Sequence, residues 1–164
     1  MRCFVTVGST EFDALVVALT APECLQKLSD LGVRELLIQL GRGKLEPRRG
    51  EQCGIMVDFY RYRDNIWPDI ASADLVIGHA GAGTCLEVLR ARKPLIVVIN
   101  EQLMGNHQRE LADRLAELGH LLCTVPERLA EVIASPDLFN RKRFAEPDYK
   151  WLTAVIDEHM GIVY

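Results

Sequence analysis

Asp74-Leu75-Val76-Ile77-Gly78-His79-Ala80-Gly81-Ala82-Gly83-Thr84-Cys85-Leu86-Glu87 is a short apolar run, a glycine-punctuated turn and the opening of a helix. A strand, a tight turn and a helix in that order mark the place where α/β sheets bind ligands. Gly81 and Gly83 let the backbone come close to an anion. The free N–H groups and dipole of the helix then favour negative charge there. Glu87 lies one turn into that helix, within reach of a hydroxyl pair on a ligand whose phosphates sit at the helix end. On spacing alone, the two glycines also suit a tight strand-to-helix turn with no ligand. No GxxxxGK[ST] loop occurs anywhere, Gly41-Arg42-Gly43-Lys44 does not supply one, and Leu86 stands where GxGxxG needs its third glycine.

Downstream, Leu95 to Ile99 is continuous and β-branched, the pattern of a parallel strand covered on both faces. A helix is expected from about His107 to Leu118, closed by Gly119, then a strand from Leu121 to Val125 and a helix opened by Pro126. Such alternation with short connections predicts βαβ units and a parallel sheet. Upstream, Cys3 to Val7 reads as a strand ended by Gly8-Ser9-Thr10. Pro22 suits a first helical turn, Leu25, Leu28 and Leu31 form a stripe, and Gly32 terminates it. Arg34 to Leu40 and Ile55 to Tyr60 read as strands around a polar loop from Gly41 to Gly50; the strand order of this half stays open. The fold class expected is α/β, a single Rossmann-like domain over residues 1–134. Residues 135–164 are set apart. Ser135 to Asp148 is polar, with a basic knot at Arg141-Lys142-Arg143, and Trp151, Leu152, Val155, Ile156 and Met160 give an amphipathic helix. That helix packs on its own domain or docks on a partner.

The chain has 164 residues, 49% apolar and 26% charged, which is one domain's worth of ordinary soluble composition. A net charge of −4 argues against a nucleic-acid or anionic-membrane binder, since both want a basic surface. No run approaches the roughly 20 apolar residues of a spanning helix; the longest, Ala14 to Leu19, is followed by Thr20 and Pro22. The start, Met1 to Gly8, lacks a signal-peptide core. Cysteines 3, 24, 53, 85 and 123 are odd in number, spread out and form no CxxC, so free thiols in a reducing compartment are expected over a disulfide framework.

A second polar cluster, Asn100 to Gln108, follows the strand at Leu95 to Ile99. Asn and Gln offer uncharged donors and acceptors that suit sugar hydroxyls, although Asn106 also serves as a helix cap. His79 and His107 are candidate bases, but a His beside a phosphate commonly acts as a charge partner or donor. Glu11 reads as a first-turn helix residue and Asp13 as a weaker base candidate. Cys85 sits at a helix N-terminus, which lowers a thiol pKa, yet buried packing is its simpler role.

Val5-Thr6-Val7-Gly8-Ser9-Thr10-x-Phe12-Asp13, Ile38-Gln39-Leu40-Gly41-Arg42-Gly43, Tyr60-Arg61-Tyr62, the stretch from Asp74 to Glu87, Lys93 to Asn100 and Asn106-His107-Gln108 occur in this order and spacing. Together they resemble the donor-binding, catalytic subunits of the two-component UDP-N-acetylglucosamine transferases of asparagine-linked glycosylation. Those are similar in turn to the C-terminal half of the bacterial peptidoglycan N-acetylglucosaminyltransferase, a GT-B enzyme of glycosyltransferase family 28. The resemblance runs continuously over residues 1–125. It implies an inverting transferase that binds UDP-N-acetylglucosamine and takes no cofactor or metal. A membrane-anchored partner would supply the acceptor-binding half and present a dolichol-diphosphate-N-acetylglucosamine acceptor. The place of action would be the cytosolic face of the endoplasmic reticulum, reached from the cytoplasm. Carried over by residue, Gly81, Ala82, Gly83 and Thr84 would hold the diphosphate with His79 beside it, and Glu87 the ribose hydroxyls. Asn106 and Gln108, with His107 between them, would take the donor sugar. Gly8, Ser9 and Thr10 would line the cleft from the other side, Tyr62 would lie near the uracil, and Arg42 would face the cleft. His79 and Glu87 are the catalytic candidates in this chain, with the base expected in the partner. Two alternatives keep the same residues: the donor subunit of a split bacterial polysaccharide glycosyltransferase, and a non-catalytic nucleotide-binding module.

Overall fold

The computed structural model describes residues 1–100 and 106–145, the side chains of residues 106–108 excepted. The apolar runs become strands: β1 (Arg2–Thr6), β2 (Glu35–Gln39), β3 (Gly50–Gln52), β4 (Ile55–Tyr60), β5 (Leu75–His79), β6 (Leu95–Val98) and β7 (Leu122–Thr124). They form one sheet in the order β3-β4-β2-β1-β5-β6-β7, parallel except for the antiparallel β3–β4 pair. The helices are α1 (Asp13–Thr20), α2 (Pro22–Asp30), α3 (Trp67–Ser72), α4 (Ala82–Arg90), α5 (Asn106–Glu117) and α6 (Leu129–Ile133).

Strand side chains alternate between two cores, as the two-residue pleat requires. Cys3, Val5, Leu75, Ile77, Ile96 and Val98 face the layer built from α1, α2 and α6. Phe4, Val76, Leu95 and Val97 face Ile70 of α3, Val88 of α4 and Leu115 of α5. Burial on both faces explains why these strands read as unbroken apolar runs. Each fully buried Leu or Ile contributes about 1.5–3 kcal/mol of transfer free energy.

The strand order left open by the sequence is resolved here. Without β3, the parallel strands run β4-β2-β1-β5-β6-β7, so the chain winds outward from β1 in one direction and from β5 in the other. The reversal opens a crevice at the carboxyl ends of β1 and β5.

Several expectations need correction. Ala14 to Leu19, too short to span a membrane, lies within α1, whose Leu15, Val16 and Leu19 are buried at helical spacing. Glu11 lies outside that helix, because Phe12 is its N-cap and Asp13 is its first-turn acid. The loop from Gly41 to Gly50 ends in β3, which the sequence did not indicate; β3 and β4 form a hairpin through Cys53 and Gly54, both at positive φ (51° and 76°). Two such residues make the turn whose twist matches paired strands. The short helix α3 is likewise additional. α4 begins at Ala82 rather than Thr84, and Pro126 opens a 3-10 turn, Pro126–Arg128, before α6. Beyond α6, Leu138 is fully buried in the first core and Phe144 packs against the second. The expected amphipathic helix from Trp151 to Met160 lies outside the described residues.

No described helix is long and apolar enough to cross a membrane. Among the described residues the five cysteines are free thiols; Cys3, Cys24 and Cys85 are buried.

Candidate functional site

The crevice is built from two strand ends that the sheet holds in register, Thr6 of β1 opposite Gly78 of β5. Thr6 also pairs with Gln39 of β2, and both side chains are buried. The Thr6 hydroxyl donates to Gln39 Oε1 at 2.5 Å, and the Gly8 N–H donates to Thr6 Oγ1 at 3.0 Å. This buried relay fixes the first glycine of the β1–α1 loop. Thr10 closes the loop on itself, its hydroxyl donating to the Val7 carbonyl at 2.8 Å. From the side, the loop after β2 presses in: the Arg42 N–H donates to the Thr10 carbonyl at 2.9 Å. A Cβ on Gly41 would stand 2.4 Å from that same carbonyl oxygen, so only glycine fits there. The Arg42 side chain is exposed. Asp13 is occupied by the same loop, its carboxylate accepting the N–H groups of Lys44 and Leu45.

His79, at the end of β5, fills the space between the two glycine turns. A Cβ on Gly8 would lie 2.7 Å from its Cε1, and one on Gly81 would lie 2.5 Å from its Nε2. Both are closer than any real contact. The imidazole is therefore clasped between backbones, and its Nδ1 is buried without a hydrogen-bond partner. Burial pushes the His79 pKa down, with the Thr6 backbone acting more weakly the other way. The ring is held neutral at neutral pH, with one buried polar atom left open.

Immediately beyond, Gly81 is the N-cap of α4, in extended conformation and with no side-chain cap. The Cys85 N–H is the one that reaches back to the Gly81 carbonyl, at 3.0 Å. The amides of Ala82, Gly83 and Thr84 thus precede the first intrahelical bond and have no partner within the helix. Ala82 and Gly83 are exposed, and nothing lies within 4 Å of a Cβ built on Gly83. Bare amides and a helix dipole aimed at open space form an anion cradle beside the clasped imidazole. Cys85 is buried, and burial pushes its thiol up to about 12, so it packs and does not react. Glu87 is exposed on the next turn of α4.

The structure thus gathers Gly8, Ser9, Thr10, His79, Gly81, Ala82, Gly83 and Thr84 around one crevice, with Arg42 buttressing it. Tyr62 follows β4 at the same end of the sheet, two strands from β1, and is 65% exposed. Its neighbour Tyr60 is committed elsewhere: its hydroxyl donates to Asp69 Oδ2 at 2.7 Å, and the Arg63 guanidinium stacks on its ring at 3.9 Å. Burial, then the Asp69 bond, raise the Tyr60 pKa. Asn106, His107 and Gln108 open α5, but their side chains lie outside the described residues. Asn100, just after β6, donates to the Glu11 carbonyl at 3.4 Å and ties that strand end to the β1–α1 loop. Sequence reasoning missed Thr6 and Gln39; their signal was a polar residue inside an apolar strand. Among the described residues no three His, Cys, Asp or Glu side chains group as a metal site.

A doubly wound sheet with a glycine-rich turn and an uncapped helix start at its reversal point defines a Rossmann-like α/β domain. The chain belongs to the glycosyltransferase family 28 C-terminal domain family, whose model matches residues 2–154. Among curated relatives it is 53% identical over 126 residues to the human UDP-N-acetylglucosamine transferase subunit ALG13, covering 76% of this chain and 11% of that one. The mouse protein gives 52% over 124 residues, again 11% of its length, so this chain spans about a tenth of these mammalian relatives. The Saccharomyces cerevisiae subunit of the same name is 36% identical over 157 residues, covering 75% of this chain and 77% of the yeast one. Among solved structures, an NMR structure of ALG13 superposes with a TM-score of 0.67 at 26% identity over 95% of both chains. MurG of Acinetobacter baumannii gives 0.64 at 19% identity, over 97% of this chain and 50% of MurG, and so shares the fold.

Proposed function

We propose that this chain is the donor-binding half of an inverting N-acetylglucosaminyltransferase. It holds UDP-N-acetylglucosamine in the β1–β5 crevice. Together with a membrane-anchored partner that binds the acceptor, it transfers the sugar to dolichol-diphosphate-N-acetylglucosamine at the cytosolic face of the endoplasmic reticulum. The observation that carries the donor assignment is the row of unpaired amides that opens α4, exposed beside the His79 ring. The partner is supported by the relatives' being named as subunits.

In this reaction an acceptor oxygen attacks the anomeric carbon, the bond from that carbon to the diphosphate breaks, and UDP leaves as the acceptor's proton passes to a base. Negative charge grows on the diphosphate. The amides of Ala82, Gly83 and Thr84, which Gly81 lets the chain present, stabilise it more in the transition state than in the ground state, because they are already aimed. A neutral His79 donates to a phosphate oxygen without requiring a second charge in the crevice. Glu87 takes the ribose hydroxyls, Asn106, His107 and Gln108 the sugar, and Tyr62 and Arg42 the outer wall. A helix end in good geometry supplies up to about 2 kcal/mol, whereas enzymatic rate enhancements need at least about 8. The base and the orientation of the acceptor therefore come from the partner, and this chain alone binds donor but transfers little.

Calorimetric titration with UDP-N-acetylglucosamine, UDP-galactose, UDP and NAD, repeated on Glu87→Ala, tests this. Selective binding of the first ligand, weakened in the variant, is expected. Tight NAD binding without UDP-sugar binding would refute it.

A further inference from the structure

A basic hollow lies at the opposite end of the sheet from the crevice. Arg92 and Lys93 lead into β6, and Arg141, Lys142 and Arg143 return from beyond α6 to stand beside them. The five cations line a cavity of about 240 Å³ that has no acidic side chain in its wall. In a chain of net charge −4 this concentration runs against the overall balance. α4 ends at Arg90, so the negative end of its dipole accounts for cations at 92 and 93. It does not account for three more brought from a distant part of the chain.

The hollow is also built. The Lys142 N–H donates to the Gly119 carbonyl at 2.9 Å, and His120 Nδ1 lies 3.0 Å from the Lys142 carbonyl. The Lys142 stem runs across Gly119, where a Cβ would already stand 3.3 Å from its Cδ. Phe144 meets His120 edge-on at 5.4 Å, and Arg141 Nε donates to the Asp137 carbonyl at 2.8 Å. These contacts hold the backbone and the walls. They leave the side-chain charges of Arg92, Lys93, Lys142 and Arg143 without an ion-pair partner among the described residues. Like charges gathered in one concave space repel one another until an anion enters.

We propose that this hollow binds a phosphate-type oxyanion, a phosphate or diphosphate group either free in solution or carried on a lipid headgroup, at a site separate from the nucleotide end of the sheet. Guanidinium and ammonium groups together offer forked and point donors to such an oxyanion. The volume suits the anion rather than a whole nucleotide, since sites for larger ligands run from roughly 300 to 1,000 Å³.

The test uses the full chain, ¹⁵N-labelled and titrated with pyrophosphate. In parallel, it is sedimented with phosphatidylcholine vesicles with or without phosphatidylinositol phosphate. Expected with pyrophosphate are saturable amide shifts at Lys93, Gly119, His120 and Lys142, distinct from any at Gly81 to Thr84. Lys93→Glu combined with Arg143→Glu should weaken them at least about tenfold while leaving UDP-sugar binding unchanged. The neutral pair Lys93→Gln and Arg143→Gln should fall between. A soluble source gives the pyrophosphate shifts. A headgroup source gives sedimentation with the phosphoinositide vesicles alone, lost in the charge-reversed variant. Absence of both responses, or responses that survive the charge reversal, would overturn the proposal.

Discussion

Replacing Gly81 by alanine adds one methyl group where the imidazole of His79 already stands. The new Cβ would be 2.5 Å from His79 Nε2, against the roughly 3.5 Å at which such atoms rest, so something must yield by about 1 Å. The ring cannot simply swing away, because Gly8 also packs against it, a Cβ there standing 2.7 Å from Cε1. Relief must come from the backbone of the turn, which is the cradle itself. Overpacking of this kind costs about 1–3 kcal/mol, and at this chain length each kcal/mol lowers Tm by about 2–4 °C. Scanning calorimetry should therefore show Gly81→Ala melting about 2–12 °C below the native chain. UDP-N-acetylglucosamine affinity should fall with it. Gly83→Ala is the control: nothing lies within 4 Å of its Cβ, and alanine in the helix gains up to about 1 kcal/mol, so Tm should hold or rise. The double variant His79→Ala, Gly81→Ala should melt above the value expected if the two losses added, because the obstruction is gone. A Gly81→Ala chain that melts and binds like the native one would refute the clasped-ring geometry.

Other expectations follow from the same contacts. Thr6→Val removes the link between the Gly8 N–H and Gln39 and leaves two buried polar groups unpaired, so urea denaturation should show a loss of about 1–3 kcal/mol. Because burial lowers the folded-state pKa of His79 below its unfolded value near 6.5, the unfolded chain binds the proton more readily. Stability from this group is complete above that pH and declines as pH falls below it; the decline in Tm between pH 7.5 and 5 should be shallower in His79→Gln. Tyr60→Phe loses the bond to Asp69, which keeps its two Arg63 contacts, so about 1 kcal/mol of stability should go while UDP-sugar affinity stays.

The parts of the fold that were legible in the sequence are those where one cause dominates. β1, β5 and β6 read correctly because burial on both faces demands uninterrupted apolar residues. α2 and α5 read correctly because stripes and closing glycines coincide. α1 was ambiguous because six successive apolar residues satisfy either period, and only packing against α2 and α6 selects the helix. β3 was hidden because Cys53, rather than asparagine, takes the positive φ of the hairpin turn. At the site, the glycines and the helix start were visible as pattern. That His79 wedges between Gly8 and Gly81 was not, since those residues meet only when β1 and β5 pair in space. The roles of Thr6 and Gln39 were obscured for the same reason, each being local to a different strand.

That pair has a consequence for how the sheet assembles. In the native alignment Thr6 lies opposite Gln39, and Val5 opposite Ile38. A slip of one residue would set the Gln39 side chain against Val5 or Val7, strand its Oε1 without a donor, and turn Leu36 and Ile38 toward the wrong layer. Apolar neighbours alone penalise such a slip weakly, because one aliphatic side chain replaces another. A single buried amide–hydroxyl contact makes it expensive. Thr6 and Gln39 therefore act as a registry key between β1 and β2, and the same threonine that reads the alignment also holds the Gly8 turn.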